Sequence, residues 1–159
     1  MYIDESELIE VKIFYKKLSR FNYVAYSKNE FDIIMKAQDE TRSEAPNTPI
    51  LFKKDDFKSI EVKLRPMGWG LYNELQDLAM KEGANGEREW SYKKYKENKL
   101  LKTIVDWDVK KVKKTPDGET EEKTKITMKL IQSIAPEICE AIINAYDNLT
   151  LMDDDEEKK

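Results

Sequence analysis

One stretch of this 159-residue chain combines side chains that could bind nucleic acid. Residues 91–114 carry nine lysines against three acidic residues, with Tyr92, Tyr95 and Trp107 among them. Lysines interleaved with aromatic rings are typical of a single-stranded nucleic-acid surface. We favour an amphipathic helix with lysines toward solvent, because no motif of an RNA-binding domain accompanies the stretch. An acidic protein partner, or the chain's own acidic end, is a third interpretation. The lysines of this predicted basic surface are Lys93, Lys94, Lys96, Lys99 and Lys102.

A second group of charged side chains lies at the end of the sequence. Residues 153–157 are consecutive carboxylates, and oxygen ligands of this kind can hold a hard cation. The run lacks the ligand spacing and the central glycine of a calcium loop. We therefore predict that residues 151–159 form a disordered, solubilising acidic tail.

The residue types that most catalysis requires are scarce in this chain. It has no histidine, which removes the commonest general base, the usual nucleophilic triads and most zinc sites. The single cysteine, Cys139, lies on an apolar helical stripe and is predicted to be a buried, unreactive thiol. We expect a protein that is not an enzyme and that has no cofactor, no metal and no catalytic residue.

Composition and charge restrict the compartment and the ligands. The net charge is −4, of which the acidic end contributes −3, so the preceding residues are nearly balanced. This balance makes nucleic acid an unlikely ligand. No apolar run approaches the roughly 20 residues of a membrane span, and the acidic N-terminus does not resemble a secretory signal. We expect a cytosolic protein without a membrane segment.

The first third of the chain predicts two strands and a short helix. Residues 9–15 alternate apolar and charged, as in a strand with one buried face, and residues 21–26 are its candidate partner. A helix over residues 5–20 is the competing interpretation. Ser27, followed by Glu30, has the spacing of a capping box and predicts a helix of about three turns. Residues 40–49, with two prolines, predict a loop.

The middle of the chain predicts a strand followed by helices. Residues 60–64 alternate cleanly, and Trp69 lies between two glycines that act as a breaker. Residues 71–81 have helical spacing, with Gly83 as the C-cap. A second helix is expected from Trp90 to Trp107. Residues 108–125, with an Asp-Gly turn, predict either an exposed ribbon or a mobile loop.

The last part of the chain predicts two further helical segments. Thr127 can cap a short turn, and Pro136 suits the first turn of the final helix. That helix carries an apolar stripe that includes Ile138, Ile142 and Tyr146. The order of elements predicts an α+β fold, with N-terminal strands and a short helix, a helix-dominated C-terminal half, and one compact domain over residues 1–150.

The aromatic and apolar residues favour a protein that binds another protein. A Trp between glycines is either an exposed contact residue or a lid on the core. Three Trp, eight Tyr and six Met, together with amphipathic helices, suit the burial of a partner's apolar surface. The residues predicted to bind this partner are Trp69, Trp107, Ile138, Ile142 and Tyr146.

The order of motifs over residues 60–149 resembles a known family. A strand closes with Arg65 and Pro66, and a helix follows. A second helix ends near Trp107, a connection with an Asp-Gly turn follows, and Pro136 opens the final helix. In this order the chain resembles tail assembly chaperones and related minor tail proteins of tailed bacteriophages.

The resemblance implies a role without catalysis. Chaperones of this family coat the apolar helical tape-measure protein until tail tube subunits replace them, so the implied partner is the tape-measure protein or another tail protein. A structural virion component of the neck, tail or baseplate is the alternative, and a nucleic-acid-binding accessory protein is a second one. The implied location is the host cytoplasm, or the virion for a structural subunit, and the chain could form a homo-oligomer.

Overall fold

A computed structural model of the chain describes residues 2–4 and 6–157, and for residues 151–157 it describes the backbone helix only. The described residues are 43% helical and 29% strand, which confirms the α+β class. A short 3-10 turn lies at Lys54–Asp56. In chain order the other elements are β1 (Ile9–Lys17), β2 (Tyr23–Ser27), α1 (Lys28–Glu44), β3 (Lys58–Leu64), α2 (Trp69–Leu78), β4 (Met80–Glu82), β5 (Arg88–Trp90), α3 (Tyr92–Thr103), β6 (Ile104–Trp107), β7 (Lys110–Thr115), β8 (Gly118–Lys123), α4 (Met128–Ser133) and α5 (Pro136–Glu157).

Four of the strands form one sheet, and the others form two hairpins. The sheet order is β2-β1-β3-β6. β1 and β2 are antiparallel, with a register that runs from Ile13↔Ser27 to Lys17↔Tyr23. β3 and β6 are also antiparallel, with a register shift after Lys63. The two hairpins are β4–β5 and β7–β8.

The chain divides into two compact units, each built from two segments. The phenylalanine unit comprises Val11–Glu61 and Ala135–Lys159 and contains all five phenylalanines. The tryptophan unit comprises Met1–Glu10 and Val62–Ile134 and contains all three tryptophans. The boundaries fall within β1, within β3 and between α4 and α5. The predicted single domain over residues 1–150 stays a prediction.

Stacked aromatic rings form the core of the phenylalanine unit. Phe31 on α1 is 1% exposed and stacks on Phe14 of β1 with 4.2 Å between ring centroids. Phe52 and Phe57, from the connection before β3, lie 5.0 and 5.2 Å from the Phe31 ring. Pairs at these separations add to the apolar burial of each ring. The connection is therefore packed onto α1 as part of the core.

The predicted start of α1 is confirmed, but its length differs from the prediction. The Ser27 hydroxyl accepts a hydrogen bond from the Glu30 N–H at 3.2 Å, as the capping box requires. α1 then continues for 17 residues, to Glu44. The helix is therefore not short, and the loop begins at Ala45 rather than at residue 40. Ala45 precedes Pro46, and a residue before proline disfavours helical backbone.

The last helix begins where the sequence predicts and buries the predicted stripe. α5 starts at Pro136 and packs on β2 within the phenylalanine unit. Ile138, Ile142 and Tyr146 are buried there. The helix continues to Glu157. The side chains of the predicted acidic tail, and residues 158 and 159 as a whole, lie outside the described residues, so its predicted disorder stays a prediction.

The tryptophan unit places a hairpin where the sequence predicts a longer helix. α2 begins at Trp69, because Gly68 serves as its N-cap, and it ends at Leu78. The predicted C-cap, Gly83, lies instead in the β4–β5 loop and donates a hydrogen bond to the Glu87 carbonyl at 2.7 Å. Gly86 in this loop has φ +75°, a conformation that glycine adopts without strain.

The segment that ends at Trp107 is a strand, not the end of a helix. α3 stops at Thr103, and residues 104–107 form β6 beside β3. Thr103, Ile104 and Val105 are consecutive β-branched residues, which favour extended backbone. The second half of the chain therefore contains five strands, β4 to β8, beside α3, α4 and α5. The predicted helical dominance of that half is only partly correct.

Candidate protein-binding surface

One face of α2 displays two aromatic rings to solvent. Trp69, Tyr72 and Gln76 are spaced by three and four residues, so they lie on the same side of the helix. The Trp69 side chain is 76% exposed and stacks on Tyr72 with 5.5 Å between ring centroids. Met67 and Gly68 lie next to the two rings and complete the lining of a shallow depression of about 250 Å³. α2 thus presents a stacked, solvent-exposed aromatic pair.

A second exposed group of rings lies where β5 passes into α3. Trp90 is 5.8 Å from Tyr92 and 5.4 Å from Tyr95 between ring centroids. Trp90 and Tyr92 are 44% and 58% exposed. The Ser91 N–H donates to the Ala79 carbonyl at 2.7 Å, and its hydroxyl caps α3 by accepting from the Lys94 N–H at 3.3 Å. Ser91 therefore fixes these rings relative to α2.

A hydrogen bond joins the two groups of rings. The indole Nε1 of Trp90 donates to the Gln76 Oε1 at 3.0 Å, and Gln76 lies on the aromatic face of α2. The rings of the two groups, with the Gln76 amide between them, therefore belong to one area. We call it the aromatic surface, and its members are Trp69, Tyr72, Gln76, Trp90, Tyr92 and Tyr95.

The size of the aromatic surface falls in the range of functional patches. An aromatic side chain presents roughly 200 Å². The exposed fractions of the four most accessible rings then correspond to about 400 Å². The largest apolar patch on a monomeric protein is about 300–600 Å² and is often functional. A stable interface buries about 800 Å² on each partner, so the aromatic surface could form the centre of one.

Most lysines of the predicted basic surface contact other side chains of the tryptophan unit. Lys99 is only 7% exposed and lies 5.5 Å from the Tyr95 ring centre, and Lys96 lies 4.5 Å from the Tyr92 ring centre. Lys102 pairs with Glu74 at 3.1 Å, and Lys93 pairs with Glu97 at 3.8 Å. Lys93 and Lys94 are exposed, whereas the prediction placed five lysines on one free face.

Four of the five predicted partner-binding side chains are buried in the chain itself. Trp107 is 3% exposed, and its indole Nε1 donates to the Thr124 carbonyl at 3.2 Å. Ile138, Ile142 and Tyr146 are 8%, 1% and 2% exposed. A buried side chain contacts a partner only if the fold opens. These four residues therefore belong to the core, whereas Trp69 is exposed, and its binding role stays a prediction.

Tyr72, Trp90 and Tyr92 belong to the aromatic surface, although the sequence did not predict them as protein-binding residues, and Tyr92 was considered only for nucleic acid. Tyr92 appeared as a core position of a helix, because helical spacing identifies a face without saying whether anything covers it. The spacing of Trp69 and Tyr72 was the available signal for Tyr72. No local pattern in the sequence predicts that Trp90 belongs to this surface, since its hydrogen-bond partner is 14 positions away.

The described residues offer little for metal or thiol chemistry. No group of three or more His, Cys, Asp or Glu side chains in the described ranges could hold a metal ion. Burial raises the pKa of the Cys139 thiol to about 11, and the charge of Glu140 acts in the same direction. At neutral pH this cysteine is therefore a thiol, which is a poor nucleophile. Among the helices of the described residues, none has both the length and the apolar content that crossing a membrane requires.

The described residues form a small α+β protein that exposes the aromatic surface to solvent. Comparisons with protein-family models, with curated proteins and with solved structures found no match to this chain. The chemistry of its own surface must therefore indicate its function.

Proposed function

We propose that this chain is a non-enzymatic binding protein whose aromatic surface receives an apolar helical segment of another protein. The observation that supports this proposal most directly is the exposure of Trp69 beside Tyr72, in an arrangement that hydrogen bonding extends to Trp90. Trp and Tyr are the residues that most often carry binding energy in protein interfaces. Rings held in this way lose little conformational entropy on binding, which favours affinity.

The proposed ligand is a helix because of the dimensions of the aromatic surface. α2 has ten residues, so its exposed face is roughly 15 Å long. An amphipathic helix presents apolar side chains at intervals of three and four residues and spans this distance in about three turns. The aromatic face of α2 would pack against that apolar row.

The resemblance to tail assembly chaperones suggests a specific partner. We propose that the helical segment belongs to a phage tape-measure protein, and that the complex forms in the host cytoplasm. This role requires a protein that covers apolar helices while its own exterior stays soluble. The charged residues, 38% of the chain, are consistent with that requirement.

Nucleic acid is the less favoured ligand for the same surface. α2 carries Glu74 and Asp77 and no basic residue, so a phosphate backbone along it would meet negative charge. Lys96 and Lys99 lie against the Tyr92 and Tyr95 rings, which limits stacking of bases there. A salt titration with single-stranded DNA and RNA tests this alternative, because steep salt-dependent binding would support it.

A pair of matched variants tests the proposal. We expect Trp69→Ala to weaken binding to helical tape-measure peptides by about 2 kcal/mol or more, roughly 30-fold, as for a central interface tryptophan. Phe21→Ala is the control, since Phe21 is 77% exposed but belongs to the phenylalanine unit. Calorimetric titration measures both affinities. Equal affinities for Trp69→Ala and the unmodified chain would refute the proposal.

Mass spectrometry of purified phage particles separates the chaperone role from that of a virion subunit. A chaperone is released before the particle is complete, so its peptides should be absent. A subunit of the neck, tail or baseplate would be present in a fixed copy number. Presence in the particle would replace the chaperone assignment and leave the binding role of the aromatic surface intact.

A further inference from the structure

The β7–β8 hairpin is a ribbon that buries neither of its faces. All twelve of its strand residues are exposed. A two-residue connection, Pro116 and Asp117, joins the strands, and Thr115 pairs with Gly118. A two-stranded ribbon without a packed face is at best marginally stable in water. Additional contacts are therefore expected along this ribbon.

The charges of the ribbon are segregated between its two strands. β7 carries four lysines and no acidic residue, whereas β8 carries three glutamates and one lysine. Two cross-strand ion pairs use part of this charge, Lys110–Glu121 at 3.8 Å and Lys113–Glu122 at 3.1 Å. The remaining charges form no ion pair within the described residues: Lys111, Lys114 and Glu119. The ribbon therefore presents one basic strand and one acidic strand.

Each strand of the ribbon also has an outer edge without a strand partner in the described residues. Backbone N–H and C=O groups along such an edge can pair with another strand. Two β7 edges would bring lysines together, and two β8 edges would bring glutamates together, so both like-with-like pairings are disfavoured. Only a β7 edge against a β8 edge places opposite charges side by side.

We propose that the ribbon of one copy of this chain pairs edge to edge with the ribbon of a second copy, β7 against β8. The pairing is antiparallel and extends the two-stranded ribbon into a longer sheet. Because the two contacting edges differ, the interface is head to tail, and it adds further copies either until a ring closes or as an open filament. This inference is independent of the aromatic surface, since no residue of the ribbon belongs to it.

The base of the ribbon is anchored within the tryptophan unit. The Lys123 ammonium pairs with the Asp106 carboxylate at 2.5 Å. The Thr124 N–H and hydroxyl both donate to the Val109 carbonyl, at 3.1 and 2.9 Å, and the Thr124 carbonyl accepts from the Trp107 indole. The ribbon thus leaves β6 in a defined direction within the tryptophan unit.

Salt dependence is the first test of the proposal. Sedimentation of the full chain at low salt should show oligomers that grow with concentration or stop at a fixed number. At about 1 M salt the Debye length falls to about 3 Å, and the oligomers should dissociate. A chain that sediments as a monomer at low salt throughout the concentration range would overturn the proposal.

A charge-exchanged variant tests which edges meet. It replaces the four β7 lysines by glutamate and the three β8 glutamates by lysine, which restores the cross-strand ion pairs with reversed sign: Lys110→Glu, Lys111→Glu, Lys113→Glu, Lys114→Glu, Glu119→Lys, Glu121→Lys and Glu122→Lys. The variant should associate with itself as the unmodified chain does. Mixed oligomers that use the β7–β8 contact should be at least tenfold rarer than in a mixture of two labelled unmodified samples, because this contact then joins like charges.

Cross-linking of isotopically distinct samples, read by mass spectrometry, measures the mixed β7–β8 contacts. Mixed β7–β8 contacts at the statistical frequency would show that the edge charges do not determine the pairing and would refute the proposal. Circular dichroism of the exchanged variant confirms that it folds. If the exchanged variant does not fold, Val112→Pro, a single substitution on β7, replaces it. Oligomers that this variant retains at low salt would count against the proposal.

Discussion

The phenylalanine unit and the tryptophan unit use aromatic rings in opposite ways. Phe31 is 1% exposed and lies among three other phenylalanine rings, whereas Trp69 is 76% exposed and has Tyr72 as its ring partner. Apolar burial therefore holds the first group in place. Polar contacts hold much of the second, through the Gln76 amide and the Ser91 cap. The difference supports the proposal that the exposed rings contact another molecule, since the chain does bury aromatic rings elsewhere.

Replacing one ring in each unit should give the largest difference. We expect Phe31→Ala to lower the free energy of unfolding by about 3–5 kcal/mol, because it removes a buried ring and leaves a cavity. Trp69→Ala should change it by less than about 0.5 kcal/mol, as exposed substitutions usually do. Urea unfolding measures both values. Similar losses for the two variants would mean that Trp69 is part of the core.

Two glutamines provide a smaller and sharper test of the same contrast. Gln38 holds the core loop, since its Nε2 donates to the Phe52 carbonyl at 2.8 Å and its Oε1 accepts from the Phe52 N–H at 2.9 Å. Gln76 makes one exposed hydrogen bond, to Trp90. We expect Gln38→Ala to cost about 1–3 kcal/mol of stability, because part-buried backbone groups lose their partners. Gln76→Ala should cost less than about 0.5 kcal/mol.

The readout for Gln76→Ala is the position of the Trp90 indole. Its N–H resonance should move and exchange faster with solvent when the amide is removed, whereas the buried Trp107 indole N–H should stay unchanged. Binding of a helical partner should weaken in the same variant, because Trp90 is no longer held beside α2. An unchanged Trp90 resonance would show that Gln76 does not position the ring.

Local signals predicted much of the fold, and the failures have a common cause. The two N-terminal strands, the caps at Ser27 and Thr127 and the start of α5 at Pro136 depend on nearby residues, and the structure confirms them. The β6 strand and the start of β4 were predicted as helix. Their short segments match a helical spacing by chance, while their pairing depends on residues far away in the sequence.

The candidate site was less predictable than the fold for the same reason. Trp69 and Trp107 look alike in sequence, each an aromatic residue at the edge of a predicted element. Their exposures, 76% and 3%, depend on what packs against them. The Trp107 indole meets the Thr124 carbonyl 17 positions later, a contact that no local pattern encodes.

The smallest expected effect concerns the polar anchor of the ribbon in the tryptophan unit. The hydrogen bond from Lys123 holds the pKa of the Asp106 carboxyl below its ordinary 3.8, with further contributions from the Trp107 backbone N–H and the Lys63 charge. Because the pKa is lowered in the folded chain, the anchor contributes to stability above about pH 4, and this contribution is lost as the pH falls through the lowered value.

Carboxyl NMR titration measures the pKa of Asp106. Lys123→Gln should raise it toward 3.8, while Asp4, whose pKa is lowered by its side-chain hydrogen bond with Ser6, should titrate as before. If Asp106 titrates identically in both chains, the anchor is not formed in solution, and the ribbon is held by the Thr124 contacts alone.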